Sequence, residues 1–147
     1  MDKGRNMDPR ISIITLGVTD LEQATAFYTA LGLPLAQTGS EGITFFRMAG
    51  TVLALYPHDK LAEDVGSRFV GGTTGFSGVT LAHNTRTKPE VDALLARAEA
   101  AGGRIEKPAQ DVFWGGYSGY FSDPDGHLWE VAWADFWQFN PDGSLIL

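Results

Sequence analysis

Two glycines frame this chain. Gly32 and Gly102 each follow an amphipathic stretch and precede a run of short apolar segments, and they stand 70 residues apart. What surrounds them matches. In "ISIITLGV", residues 11–18, alternation puts Ile14, Leu16 and Val18 on one strand face and Ile11, Ile13, Thr15 and Gly17 on the other. Thr19-x-x-Glu22 has the spacing of a capping box, and Leu21, Ala24, Tyr28 and Leu31 follow at helical intervals with Phe27 beside them. Gly32 suits the left-handed residue that ends a helix, and Pro34 prevents its continuation. Short strands are expected at 35–38, 43–48 and 51–56, with Ala49-Gly50 as a hairpin turn.

The order then returns. "GVTLAHN", residues 78–84, reads as a strand, and Thr87-x-x-Glu90 is a second capping box with Pro89 in the first turn. Val91, Leu94, Leu95 and Ala98 form the helix stripe, and Gly102-Gly103 close it. Strands are expected near 104–107, 118–122 and 127–134. The chain thus reads as one α+β domain over 1–147. Two βαβββ modules, 11–56 and 76–134, are joined by a linker at 57–75 that is polar and then Gly/Thr-rich. Such a unit cannot bury its sheet alone and pairs with its copy. One sheet face takes the helix; the other is left to line a cavity or meet a partner.

Composition narrows the function. The net charge is −7 with no Lys/Arg cluster, which argues against nucleic acid or an anionic membrane as partner. No apolar run is long enough to cross a bilayer, and the polar opening "MDKGRNMDPR" reads as a flexible leader rather than a secretory signal. There is no Cys, which excludes disulfides and thiolate chemistry and fits a cytoplasmic location.

One acid stands out. "DPDGHLWEVAW" runs from Asp123 to Trp133: Asp and Pro set a turn, Gly126 tolerates positive φ, and an apolar strand follows with a single carboxylate, Glu130. Alternation puts Leu128, Glu130 and Ala132 on one face, with Trp129, Val131 and Trp133 packed toward a helix. An acid in an apolar hollow suits a general acid/base or a counter-ion for a cationic ligand. Pairing with Arg47 or Arg10 is the structural alternative. Upstream, "FWGGYSGYF" places Phe113, Trp114, Tyr117 and Tyr120 among glycines, where they can stack on a flat ligand or hold a cation, or simply pin a loop.

Three stretches, "LGVTDLEQATAFYTALGL", "EVDALLARAEAAGGRI" and "GYFSDPDGHLWEV", in this order and spacing resemble the vicinal oxygen chelate superfamily of glyoxalase I, extradiol dioxygenases and bleomycin-resistance proteins. The resemblance covers roughly Ile11 to Trp133. It implies paired βαβββ modules forming a cupped mixed sheet, a homodimer, and a divalent metal held by one side chain from each of four strands. The metal positions fall here on Glu130, Ile13, Ala54 and either Val79 or Gly78, so only Glu130 carries a donor. Of the histidines, His58 follows a strand exit, His127 lies on the face opposite Glu130, and His83 is the one expected to join Glu130 in the hollow. The expectation is a protein without metal or cofactor. It would bind a small apolar or cationic aromatic molecule over Ile13, Ala54, Tyr56, Val79, His83, Trp114, Tyr117 and Tyr120. The alternative is lyase, isomerase or dioxygenase chemistry with Glu130 as acid/base or in an unusual metal site. A third reading is a structural dimer with a vestigial cup.

Overall fold

A computed structural model describes residues 7, 9–37, 42–71 and 75–146. Most of the leader, Thr38 and the Gly/Thr-rich part of the linker at 72–74 lie outside the described residues. The first module is β1 (Ile13–Val18), α1 (Leu21–Ala30), β2 (Leu35–Gln37), β3 (Thr44–Met48) and β4 (Thr51–Pro57). The segment read as a linker opens with a helix, α2 (His58–Val65), followed by a short 3-10 turn at Ser67–Phe69. Its polar composition hid the helix, whose buried residue is Ala62 alone. The second module is β5 (Leu81–Asn84), α3 (Lys88–Ala100), β6 (Arg104–Asp111), β7 (Tyr117–Ser122) and β8 (Leu128–Trp133). A small hairpin, β9 (Gln138–Phe139) and β10 (Leu145–Ile146), was not foreseen.

The α+β modules give two four-stranded mixed sheets, ordered β1-β4-β3-β2 and β5-β8-β7-β6. In each, the first strand of the module lies at one edge and pairs in parallel with the last, and the rest is antiparallel. The helix-ending glycines do what their spacing implied. Gly32 at φ 101° and Gly102 at φ 111° occupy backbone that a side chain rarely adopts. The N-caps differ from the motif. Asp20, not Thr19, caps α1, accepting from the Gln23 amide at 3.0 Å. Thr87 does cap α3, but its hydroxyl hydrogen-bonds the Glu90 carboxylate at 2.9 Å instead of the backbone.

Ile14, Leu16 and Val18 face the core as alternation required, as do Leu53, Leu55 and Phe46. Phe27 and Tyr28 of α1 are buried against the second module: Phe27 lies 6.2 Å from Phe121 and Tyr28 lies 6.1 Å from Trp129, ring to ring. Each such buried aromatic contributes roughly 1.5–3 kcal/mol. Polar contacts fix the same junction. The Tyr28 hydroxyl donates to Asp123 at 2.7 Å and accepts from the Trp129 indole at 3.1 Å, while the Thr19 amide donates to Asp125 at 2.8 Å. The other oxygen of Asp123 accepts from the amides of Asp125 and His127, so the "DPDGH" turn is held from inside. Burial first, and then the charge of Asp123, hold the Tyr28 hydroxyl protonated far above its ordinary range. Both modules therefore share one core between α1, α3 and one face of each sheet. The opposite faces look away from it.

Candidate active pocket on the second sheet

The far face of the second sheet is assembled by register. Tyr120 of β7 pairs with Glu130 of β8 and with Lys107 of β6, and Ala82 of β5 pairs with Glu130 from the other side. Paired residues share a face, so Lys107, Tyr120, Glu130 and Ala82 form one row across four strands. Trp129 and Val131 go into the core from the opposite face, as the alternation of "LWEVAW" required.

β6 reaches further than the sequence suggested. It passes through Pro108 and continues to Asp111, with register shifts between Ile105 and Lys107 and between Lys107 and Gln110. These are β-bulges, and β6 is the edge strand, where a missing proline N–H costs no ladder bond to a further neighbour. Gly119 makes the close approach possible. A Cβ there would lie 2.7 Å from the Lys107 carbonyl and 2.8 Å from Leu95. After Asp111 the chain turns tightly, with the Gly115 amide on the Val112 carbonyl at 3.0 Å and the Val112 amide on the Gly116 carbonyl at 2.9 Å. This turn brings Val112, Phe113 and Trp114 to the rim beside the row. Together with Gln110, Asp111, Ser118, Lys107, Tyr120 and Glu130 they line an open cavity of about 320 Å³. That is room for a small molecule of modest size.

The walls are held from outside. The Trp114 ring lies 5.5 Å from Trp137, which leads into the C-terminal hairpin. That hairpin is in turn tied to Arg86, whose guanidinium donates to the Asn140 carbonyl at 3.2 Å and lies 5.1 Å over the Phe139 ring. Asp111 is paired with Lys88 at 3.1 Å. Among the described residues, no hydrogen bond or ion pair reaches the Glu130 carboxylate or the Lys107 ammonium. Desolvation, and then the negative charge of Glu130, raise the Tyr120 hydroxyl above its ordinary range, so it stays a protonated donor beside a carboxylate.

Of the residues singled out from sequence, the structure brings Glu130, Phe113, Trp114 and Tyr120 together in this cavity. Tyr117 goes elsewhere. It is three residues from Tyr120 on one strand and so on the opposite face, where its hydroxyl donates to Asp92 of α3 at 2.8 Å. That bond, ahead of desolvation, raises its own titration. His83 also faces the helix: it pairs with Val131, and Glu90 of α3 is the charge that acts on it. Surrounding protein desolvates one side of its ring and lowers its pKa, although its edge is open to water. Val79 precedes β5 and is 61% exposed. The expectation ran the strand back to Gly78, whereas the strand that pairs begins at Leu81, with Ala82 on the face of Glu130.

Ile13, Ala54 and Tyr56 lie on the far face of the first sheet, where Ile13 pairs with Val52, Thr15 with Ala54 and Gly17 with Tyr56. Phe45, also on that face, pairs with Ala54, while Phe46 is in the core. None of the three lines the cavity. His58 begins α2 against Gly17, where a Cβ would come 3.0 Å from the imidazole. His127 hydrogen-bonds the Gly17 carbonyl at 2.7 Å. Lys107, Gln110 and Val112 were missed. The signal that could have found Lys107 was its place two strands from Glu130 in the same row.

The comparisons with known proteins bear on this geometry. Residues 10–131 match the family model described as Glyoxalase/Bleomycin resistance protein/Dioxygenase superfamily. The chain belongs to that superfamily. A glyoxalase-related enzyme from Fulvimarina pelagi is 39% identical, with 95% of this chain and 98% of that one covered at a TM-score of 0.85. A glyoxalase/bleomycin resistance protein/dioxygenase from Nocardioides is 27% identical over 89% of this chain and 87% of that one, with a TM-score of 0.72. A structure titled lactoylglutathione lyase from Agrobacterium tumefaciens is 26% identical over 91% of this chain and 100% of that one, with a TM-score of 0.65. No curated protein matches the chain.

A superfamily member invites the question of a metal. The donor set does not fit one. Glu130 is flanked in register by Ala82 and Tyr120, and Ile13 and Ala54 offer no donor atom. Among the described residues, no three His, Cys, Asp or Glu side chains gather closely enough to hold an ion. Divalent sites need several O or N ligands at once.

Proposed function

We propose that this member of the superfamily is a metal-free binding protein that captures a small aromatic molecule, cationic where it meets Glu130. The observation that carries the reading is an unpaired carboxylate on the floor of a cavity walled by Trp114 and Tyr120. Rings flanking the site give a flat ligand its contact area, and a carboxylate beneath gives its positive charge a partner. The acidic net charge of −7 favours cationic ligands at longer range. On this reading the metal site of the superfamily has been replaced by apolar side chains. The protein works as a homodimer in the reducing cytoplasm, without nucleic acid or membrane as partner. The exposed Ile11 and Ile13 on the first sheet's far face support a second copy as its cover.

The test is calorimetric. Tryptamine titrated into the protein in a chelator-containing buffer is expected to bind at the cavity. Glu130→Gln, which keeps shape and removes charge, is expected to bind it about tenfold more weakly. Equal affinity of the two proteins would defeat the reading.

One observation favours a second reading. Tyr120 is a protonated donor directly across from Glu130. A carboxylate and a phenol side by side can take a proton from one atom of a substrate and return it to a neighbouring one, the chemistry of an isomerase or lyase. Turnover that is lost in both Glu130→Gln and Tyr120→Phe, while tryptamine still binds Tyr120→Phe, would select it.

A further inference from the structure

The charges around the cavity are not all available to a ligand. Three charged side chains line it: Lys107, Asp111 and Glu130. Asp111 is engaged by Lys88, which also sits 4.7 Å over the Tyr117 ring on the helix side of the sheet. That leaves one cation and one anion, in the same row, separated by Tyr120. Neighbouring strands lie about 4.8 Å apart, so the backbones bearing Lys107 and Glu130 are about 10 Å apart. The two do not satisfy each other, and Trp114 lines the same depression.

We propose that the cavity selects an aromatic zwitterion, with Glu130 receiving its ammonium, Lys107 its carboxylate, and Trp114 and Tyr120 its ring. This deepens the binding reading above and rests on it. The two ligand charges must stand several bonds apart. An extended dipeptide spans about 7 Å, which bridges side chains leaning inward from strands two apart. A ligand carrying only positive charge would leave Lys107 facing it and would be repelled in part. One carrying both charges gives each of the two unpaired groups a charge-assisted partner.

The probe is glycyl-L-phenylalanine, compared by calorimetry with its methyl ester, which lacks the carboxylate, and its N-acetyl derivative, which lacks the ammonium. The wild-type protein is expected to bind the free dipeptide about tenfold more tightly than either blocked form. Lys107→Met is expected to erase the discrimination against the ester and keep that against the N-acetyl form; Glu130→Gln is expected to do the reverse. This crossed pattern is what a merely structural role for either residue would not produce. If the ester binds wild type as well as the free dipeptide does, the zwitterion inference is overturned while the aromatic-cation reading stands. If neither the dipeptides nor tryptamine bind, both fall.

Discussion

Glu130 and Tyr120 act on each other, and that coupling can be read without any ligand. Burial raises the Tyr120 titration first, and the Glu130 charge adds to it. Replacing Glu130 by Gln removes the second cause. The Tyr120 ultraviolet titration is therefore expected to move downward, toward but not reaching the ordinary tyrosine range; no movement would separate the two groups. His83 makes a second residue-scale prediction. Its folded pKa is lowered by desolvation, so between that value and the ordinary histidine value near 6.5 the unfolded chain holds more protons than the folded one. Folding stability therefore falls as pH drops through about 6.5. Denaturant midpoints of His83→Gln are expected to lose part of this acid sensitivity, and an identical pH profile would contradict the placement. At this scale, Glu130 was legible from the sequence because period-two alternation fixes a face once a few apolar neighbours are known. His83 and Val79 were misplaced for the same reason inverted. The stretch before His83 carries small or apolar residues at both parities, so alternation does not fix its face, and Val79 precedes the strand altogether.

The elements that make the cavity a cavity are β6, the turn after it and the C-terminal hairpin. The sequence places this strand near 104–107, yet β6 runs on through Pro108, between register shifts at the sheet edge, to Asp111. Edge position is a tertiary fact, so the extension could not be read from the strand's own residues. The hairpin after 134 has only two residues per strand and no strong apolar period, and so left no signal above its loops. Its contribution is positional: Trp137 backs Trp114, and Trp114 lines the cavity. Trp137→Ala is expected to weaken tryptamine binding by several-fold while shifting thermal stability by only a few degrees, since Trp137 lies outside the shared core. A large loss of stability with unchanged affinity would assign the hairpin to folding instead.

Across the whole molecule, the two modules meet through one core and turn their other sheet faces away from it; the first is covered at one end by α2 but leaves Ile13 52% exposed, and the second holds the Glu130 cavity. The modular frame was plain from two helix-ending glycines and two "strand then capping box" runs. How the modules face each other was not, because Phe27 and Tyr28 could have packed on either sheet by pattern alone. The account stands or falls on whether this pairing leaves Glu130 alone. Native mass spectrometry of protein purified without chelator measures that in one spectrum. A dimer whose mass is that of two bare polypeptide chains is the expected result. A divalent ion bound once per chain, and lost on Glu130→Ala, would contradict it.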